Sequence, residues 1–157
     1  MKYERLTREQ LEEMHQEFIN FLATQKITAD EWEKIKREQP GVAEQELDVF
    51  SDLVWEGVLN NVNYVEHFST QQLFLFHFKD SDIDLIAIKI DNPAVDITTT
   101  EGYQWLRKSL NNDDVTIYTS TKPIGKERNT DIFALIQKGA HITQGELYTY
   151  FEKLVVN

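Results

Sequence analysis

Glu44, Asp48, Asp52 and Glu56 stand at four-residue intervals, and they are the most regular chemical pattern in the chain. On a helix, side chains four apart are neighbours, so each step of this stripe sets like charges face to face at a cost of a few tenths of a kcal/mol. No lysine four positions along offsets them, and from Glu38 to Phe78 there is no Lys or Arg at all. Three readings fit such a stripe: a docking surface for a basic protein partner, a divalent-cation site, or a solvated acidic face that aids solubility. Docking is the reading adopted as an expectation, with Glu44, Asp48, Asp52 and Glu56 as the partner-binding residues.

A second candidate is the positive region around Lys122, Lys126 and Arg128, with Arg107 and Lys108 upstream. Together with Ser120, Thr121 and Gly125 it could hold a phosphate or carboxylate, and Arg107, Lys122, Lys126 and Arg128 are the expected anion-binding residues. Gly125-Lys126 resembles the end of a P-loop. The position five before Gly125 is Ser120 instead of glycine, however, and Glu127 replaces the Ser or Thr after the lysine, so that motif is rejected. Exposed loops of this composition are most often plain solvated connections.

The remaining patterns fail on spacing. Asp80-Ser81-Asp82-Ile83-Asp84 imitates the start of a calcium loop, but Leu85 stands where glycine is required and Asp91 where glutamate is required. Glu12 and His15 form one Glu-x-x-His pair, and a di-iron bundle needs two. His77 lies inside a phenylalanine-rich strand, and Glu66 and His67 are strand neighbours whose side chains point apart. No histidine pair has zinc spacing, and no serine sits in a nucleophile elbow. No catalytic residue, metal site or cofactor is assigned, and whether the chain is an enzyme stays open.

The elements that must position these residues centre on QLFLFHFKDSDIDLIAIKI, residues 72–90. Two strand-forming runs flank Lys79-Asp80-Ser81-Asp82, which predicts a β-hairpin. Both runs are apolar at odd and even positions, so both faces of the hairpin require cover. One set of helices can cover one face, and a homodimer is a possible cover for the other. Before the hairpin, Thr7-Arg8-Glu9-Gln10 reads as a capping box opening a helix from about 8 to 24. Thr28-Ala29-Asp30-Glu31 opens a short helix ending before Pro40. A third helix from about 41 to 62 carries the acidic stripe opposite Ala43, Leu47, Phe50, Val54 and Val58. Tyr64 to Phe68 is a short strand.

After the hairpin, Val95 to Ile97 reads as a brief edge strand and Thr98-Thr99-Thr100-Glu101 as a capping box for a helix ending near Asn112. Val115 to Thr121 reads as a strand, 122–129 as a loop, and Ile132 to Lys138 as a helix stopped by Gly139. Thr143-Gln144-Gly145-Glu146 is a fourth capping box, before a helix carrying Leu147, Tyr150, Phe151 and Leu154. Trp32, Trp55, Trp105 and Tyr103 fall at helical core spacing. Helices followed by strands and then mixed elements predict an α+β fold, with N-terminal helices packed on a mainly antiparallel sheet, in a single domain over residues 1–157.

Composition limits the function. The net charge of −11 argues against general nucleic-acid binding. Residues 1–78 carry −8 of it and residues 79–157 carry −3. No apolar run approaches the roughly 20 residues of a membrane span, and the first residues lack the apolar core of a signal peptide. With no cysteine, disulfides, thiolate zinc sites and cysteine nucleophiles are excluded, and a cytoplasmic setting is expected.

LTREQLEEMHQEFINFLATQKITADEWEKIK and VAEQELDVFSDLVWEGVLNNVNYVEHFS, with ITTTEGYQWL and GELYTYFEKL, resemble a family of short uncharacterised bacterial proteins of the Bacteroidota. The resemblance covers nearly the full chain. It implies a bacterial cytoplasmic setting and no catalytic residue, cofactor or substrate. The expected role is protein–protein interaction, as an accessory subunit with an acidic docking helix. The alternative is an anionic-ligand binding protein or enzyme with a pocket near the sheet edge.

Overall fold

The computed structural model describes residues 1–155. The chain forms an α+β fold that divides into two compact units, Met1–Asn60 and Asn61–Asn157.

The first unit is helical: α1 (Arg8–Glu13), α2 (His15–Thr24), α3 (Ala29–Glu38) and α4 (Pro40–Asn60). The Thr7 capping box forms as expected, with Thr7 Oγ1 accepting from Gln10 N and Gln10 Oε1 accepting from Thr7 N. The single helix expected over 8–24 is broken at Met14, which closes α1 with a non-helical backbone. Thr28 caps α3, and Pro40 starts α4, where the missing N–H costs nothing. Leu6, Phe18, Leu22 and Phe50 form the buried centre. Phe18 meets both Trp32 and Phe50 edge to face at 5.1 Å, the geometry aromatic quadrupoles favour.

The second unit is a five-stranded antiparallel sheet in the order β4-β3-β2-β1-β5, built from β1 (Tyr64–Phe68), β2 (Gln72–Phe78), β3 (Asp82–Ile90), β4 (Val115–Pro123) and β5 (His141–Thr143). Helices α5 (Thr100–Lys108), α6 (Arg128–Gln137) and α7 (Glu146–Val155) complete it. The central hairpin forms over the expected residues, and Leu73↔Ile88 and Phe76↔Leu85 fix its register. Leu73, Leu75, Ile86, Ile88 and Ile90 pack with Ile97, Leu106, Tyr148 and Phe151, so α5 and α7 cover that face. The opposite face carries Phe74, Phe76, Phe78, Ile83 and Leu85.

Several boundaries move. Residues 95–97 form no strand; the segment turns, with the Thr98 N–H donating to Asp96 Oδ1, and Ile97 is buried. The cap of α5 is Thr99 instead of Thr98. Lys122 and Pro123 belong to β4 instead of the loop. Thr143 ends β5, a strand too short to read from sequence, and its hydroxyl accepts from Gly145 N in a turn before α7. Gly139 stops α6 in the left-handed region (φ +106).

Candidate functional site

The acidic stripe lies on α4 as expected, but its charges are met within the unit. Arg5 pairs with both Glu44 and Asp48, its Nε donating to Asp48 Oδ1 at 2.7 Å. The backbone N–H groups of Lys2 and Tyr3 donate to the two oxygens of Asp52 at 2.7 and 2.9 Å. Lys2 Nζ and Tyr3 OH both reach Glu56. These contacts join positions 39 to 54 residues apart, which no i,i+4 inspection reveals. The same strip is sealed by Leu6 N, which donates to the buried hydroxyl of Ser51, itself donating to Leu47 O at 2.7 Å. The stripe is thus a seat for residues 2–6, and its description as uncompensated is corrected.

The expected cations part company. Arg107 lies on α5 over the rings of Tyr150 (4.9 Å) and Tyr103 (6.0 Å). Lys126 is exposed in the loop before α6. Arg128 and Lys122 each lie on the Phe78 side of the sheet. Arg128 lies 6.0 Å from the Phe78 ring centroid and donates to Val62 O and to Asn129 Oδ1. Lys122 pairs across from Ile83, so it shares the Phe76 and Phe78 face of the sheet.

On that face a groove of about 270 Å³ opens between the sheet and α6. Phe76, Phe78 and Ile83 form its floor; Ala134 and Leu135 its helical wall; Lys122, Asp131 and Lys138 its polar rim. The helix and its C-cap supply Asp131, Ala134, Leu135 and Lys138 because these positions, spaced by three, four and seven, fall on one side of an α-helix. Lys138, absent from the sequence candidates, could have been found from that spacing. Lys122 and Lys138 make no ion pair among the described residues. An apolar floor with two lysines and one aspartate at its rim, a net positive charge, can bury a small ring or chain and hold its anionic end.

The other face ends in a lateral polar row: Thr143, Tyr64, His77, Asp84 and Thr121 stand opposite one another across all five strands. Tyr64 stacks on His77 at 4.4 Å, and Tyr148 of α7 meets His77 edge-on at 5.2 Å. Lys79 Nζ lies 2.5 Å from Asp84, and Thr121 Oγ1 donates to Asp84 at 2.7 Å; these two contacts hold the Asp84 carboxyl below its ordinary range. Burial lowers the His77 pKa, and burial with the charges of Asp84 and Glu152 pushes the Tyr148 phenol up to about 12. Glu66, next to this row, is raised by burial and stands across from His141. The row is internally satisfied: Asp84 already has a cation and a hydroxyl. It gives His77 no nucleophile to activate.

His67 faces the phenylalanine side, opposite Phe74, and His15 lies on α2. The Asp80 segment is the hairpin turn. Among the described residues no three His, Asp or Glu side chains are grouped to hold a metal ion, and no helix is long and apolar enough to cross a membrane. No curated protein and no solved structure shows significant similarity to the chain. A family model does match it, over residues 1–156, and the chain belongs to that family of unknown function, DUF6495.

Proposed function

We propose that this protein binds a small amphipathic anion, an aromatic or short aliphatic carboxylate or phosphate ester, in the groove between the sheet and α6. The observation that carries this reading is the pair of lysines, Lys122 and Lys138, at the rim of a floor made by Phe76, Phe78 and Ile83. In a chain of net charge −11, two lysines without ion pairs against the single carboxylate of Asp131 leave this recess net positive, which favours an anion over a cation. A cavity of roughly 150 Å³ accepts benzene, so about 270 Å³ suits one ring with an acidic substituent. At about 0.5 kcal/mol per heavy atom, a ten-atom acid binds with a dissociation constant on the order of 0.1–1 mM. A reducing, cytoplasmic setting belongs to this proposal and is supported by the cysteine-free composition.

The test is a thermal-shift screen at millimolar ligand with matched sets: aryl carboxylates, the corresponding amides, and the corresponding amines. Stabilisation by the acids alone supports the reading; equal response to amides or amines, or none to any, overturns it.

A second reading keeps α4 as a docking surface for a basic partner through Glu44, Asp48, Asp52 and Glu56. Its support is that the stripe takes Lys and Arg side chains, those of the chain's own Lys2 and Arg5. A partner would compete with residues 2–5, so pull-down recovery of basic proteins should rise in an Arg5→Ala variant; unchanged recovery would count against it.

A further inference from the structure

The two edges of the sheet are built differently. β5 is three residues long, whereas β4 runs for nine, in unbroken register with β3 from Asp82↔Pro123 to Ile90↔Val115. Exposed edges of this length are usually blunted by charges, prolines, bulges or cover. In β4 the only guards are Lys122 and Pro123, at its very end; the stretch Val115–Thr121 is uncharged and rich in β-branched residues, in a chain with 27 acidic residues. Thr116 and every residue from Tyr118 to Pro123 are exposed, Tyr118 to 57%.

We infer that β4 pairs edge to edge with β4 of a second copy, antiparallel about a two-fold axis at Thr119, making one continuous sheet. A second copy is the occupant because the strand is complementary to itself. With Thr119 opposite Thr119, Tyr118 meets Ser120, Ile117 meets Thr121, and Thr116 meets Lys122. No like charges meet, and Pro123, opposite Val115, removes only the last hydrogen bond at each end of the pairing. Two copies, each of charge −11, repel one another overall, and a seam without carboxylates adds least to that repulsion. β4 itself carries no Asp or Glu. The inference is independent of the ligand reading.

The absence of cysteine makes the register directly testable. Directly opposed residues in an antiparallel pair lie about 4.5–5.5 Å apart at Cα, inside the range a disulfide spans. In the full chain, Thr119→Cys should cross-link into a dimer under mild oxidation, whereas Thr116→Cys, about 20 Å from its own copy at 3.3 Å per residue, should not. Sedimentation of the unmodified chain should show a twofold mass that Thr119→Lys returns to monomer with its circular dichroism unchanged. A monomer at high concentration, a dimer that Thr119→Lys leaves intact, or equal cross-linking at 116 and 119 would each overturn the pairing.

Discussion

Lys122 stands directly across from Ile83 in the β3–β4 register, which puts its ammonium on the phenylalanine face of the sheet. From the other side α6 presents Lys138, two turns beyond Asp131, over the same floor. Two residues 16 positions apart in sequence thus flank one recess because strand alternation and helical periodicity each turn them inward.

Lys26 is the single non-glycine residue with a left-handed backbone among the described residues (φ +61). It closes α2, with its N–H on Ala23 O and the Ile27 N–H on Leu22 O, the pattern in which glycine is usually found. Lys26→Gly should therefore stabilise the chain by about 1 kcal/mol despite glycine's greater freedom when unfolded. Denaturant unfolding checks it; an unchanged or lower midpoint contradicts the assignment.

Gly102 and Gly145 should tolerate nothing larger. A Cβ on Gly102 would lie 1.8 Å from Asp96 O, a backbone atom with nowhere to go. On Gly145, at φ +82, it would meet the Tyr64 ring at 2.5 Å. Gly102→Ala should cost about 2–4 kcal/mol, read as a lowered unfolding midpoint, with Gly145→Ala also destabilising.

The seat of residues 2–6 on α4 combines exposed ion pairs with one buried contact. Arg5→Ala removes pairs to Glu44 and Asp48 that are partly open to water, so it should cost about 1 kcal/mol, shrinking in 1 M salt. Ser51→Ala strands the Leu6 N–H away from water, and should cost about 1–3 kcal/mol with no salt dependence. Paired unfolding curves at low and high salt distinguish the two.

Acid should weaken the sheet unit through His77. Burial first, and Lys79 second, lower its pKa below 6.5, against the opposing charges of Asp84 and Glu152. The unfolded chain therefore binds the proton more readily, so stability is full above about pH 6.5 and falls as pH drops toward the folded value. Asp84, held below 3.8, adds its own loss only at more acidic pH. Melting temperatures of His77→Gln should fall less than those of the unaltered chain between pH 7 and 5; parallel losses would remove His77 from the explanation.

Much of the frame was legible because its signals are local. The hairpin followed from Phe, Leu and Ile runs around Lys79-Asp80-Ser81, and Thr7 and Thr28 marked true helix starts. Met14 breaks a helix whose apolar spacing continues straight through it, and β5 has only three residues, so neither left a pattern to read. Charge balance failed for a different reason. The partners of Asp48 and Glu56 are Arg5 and Lys2, brought near only by folding, and sequence spacing carries no record of such contacts. In the recess, Lys122 and Arg128 stood out by their charge, yet Arg128 is committed to the Val62 carbonyl while Lys138, unnoticed, lines the rim.

The most direct measurement is an NMR titration of the full chain with benzoate, repeated on the Lys122→Ala/Lys138→Ala double variant. Saturable shifts are expected at Phe76, Phe78, Ile83 and Leu135, with an affinity at least tenfold weaker in the variant, about 1.4 kcal/mol. Equal affinity in both proteins, or shifts confined to the His77 face, would contradict anion binding in this recess.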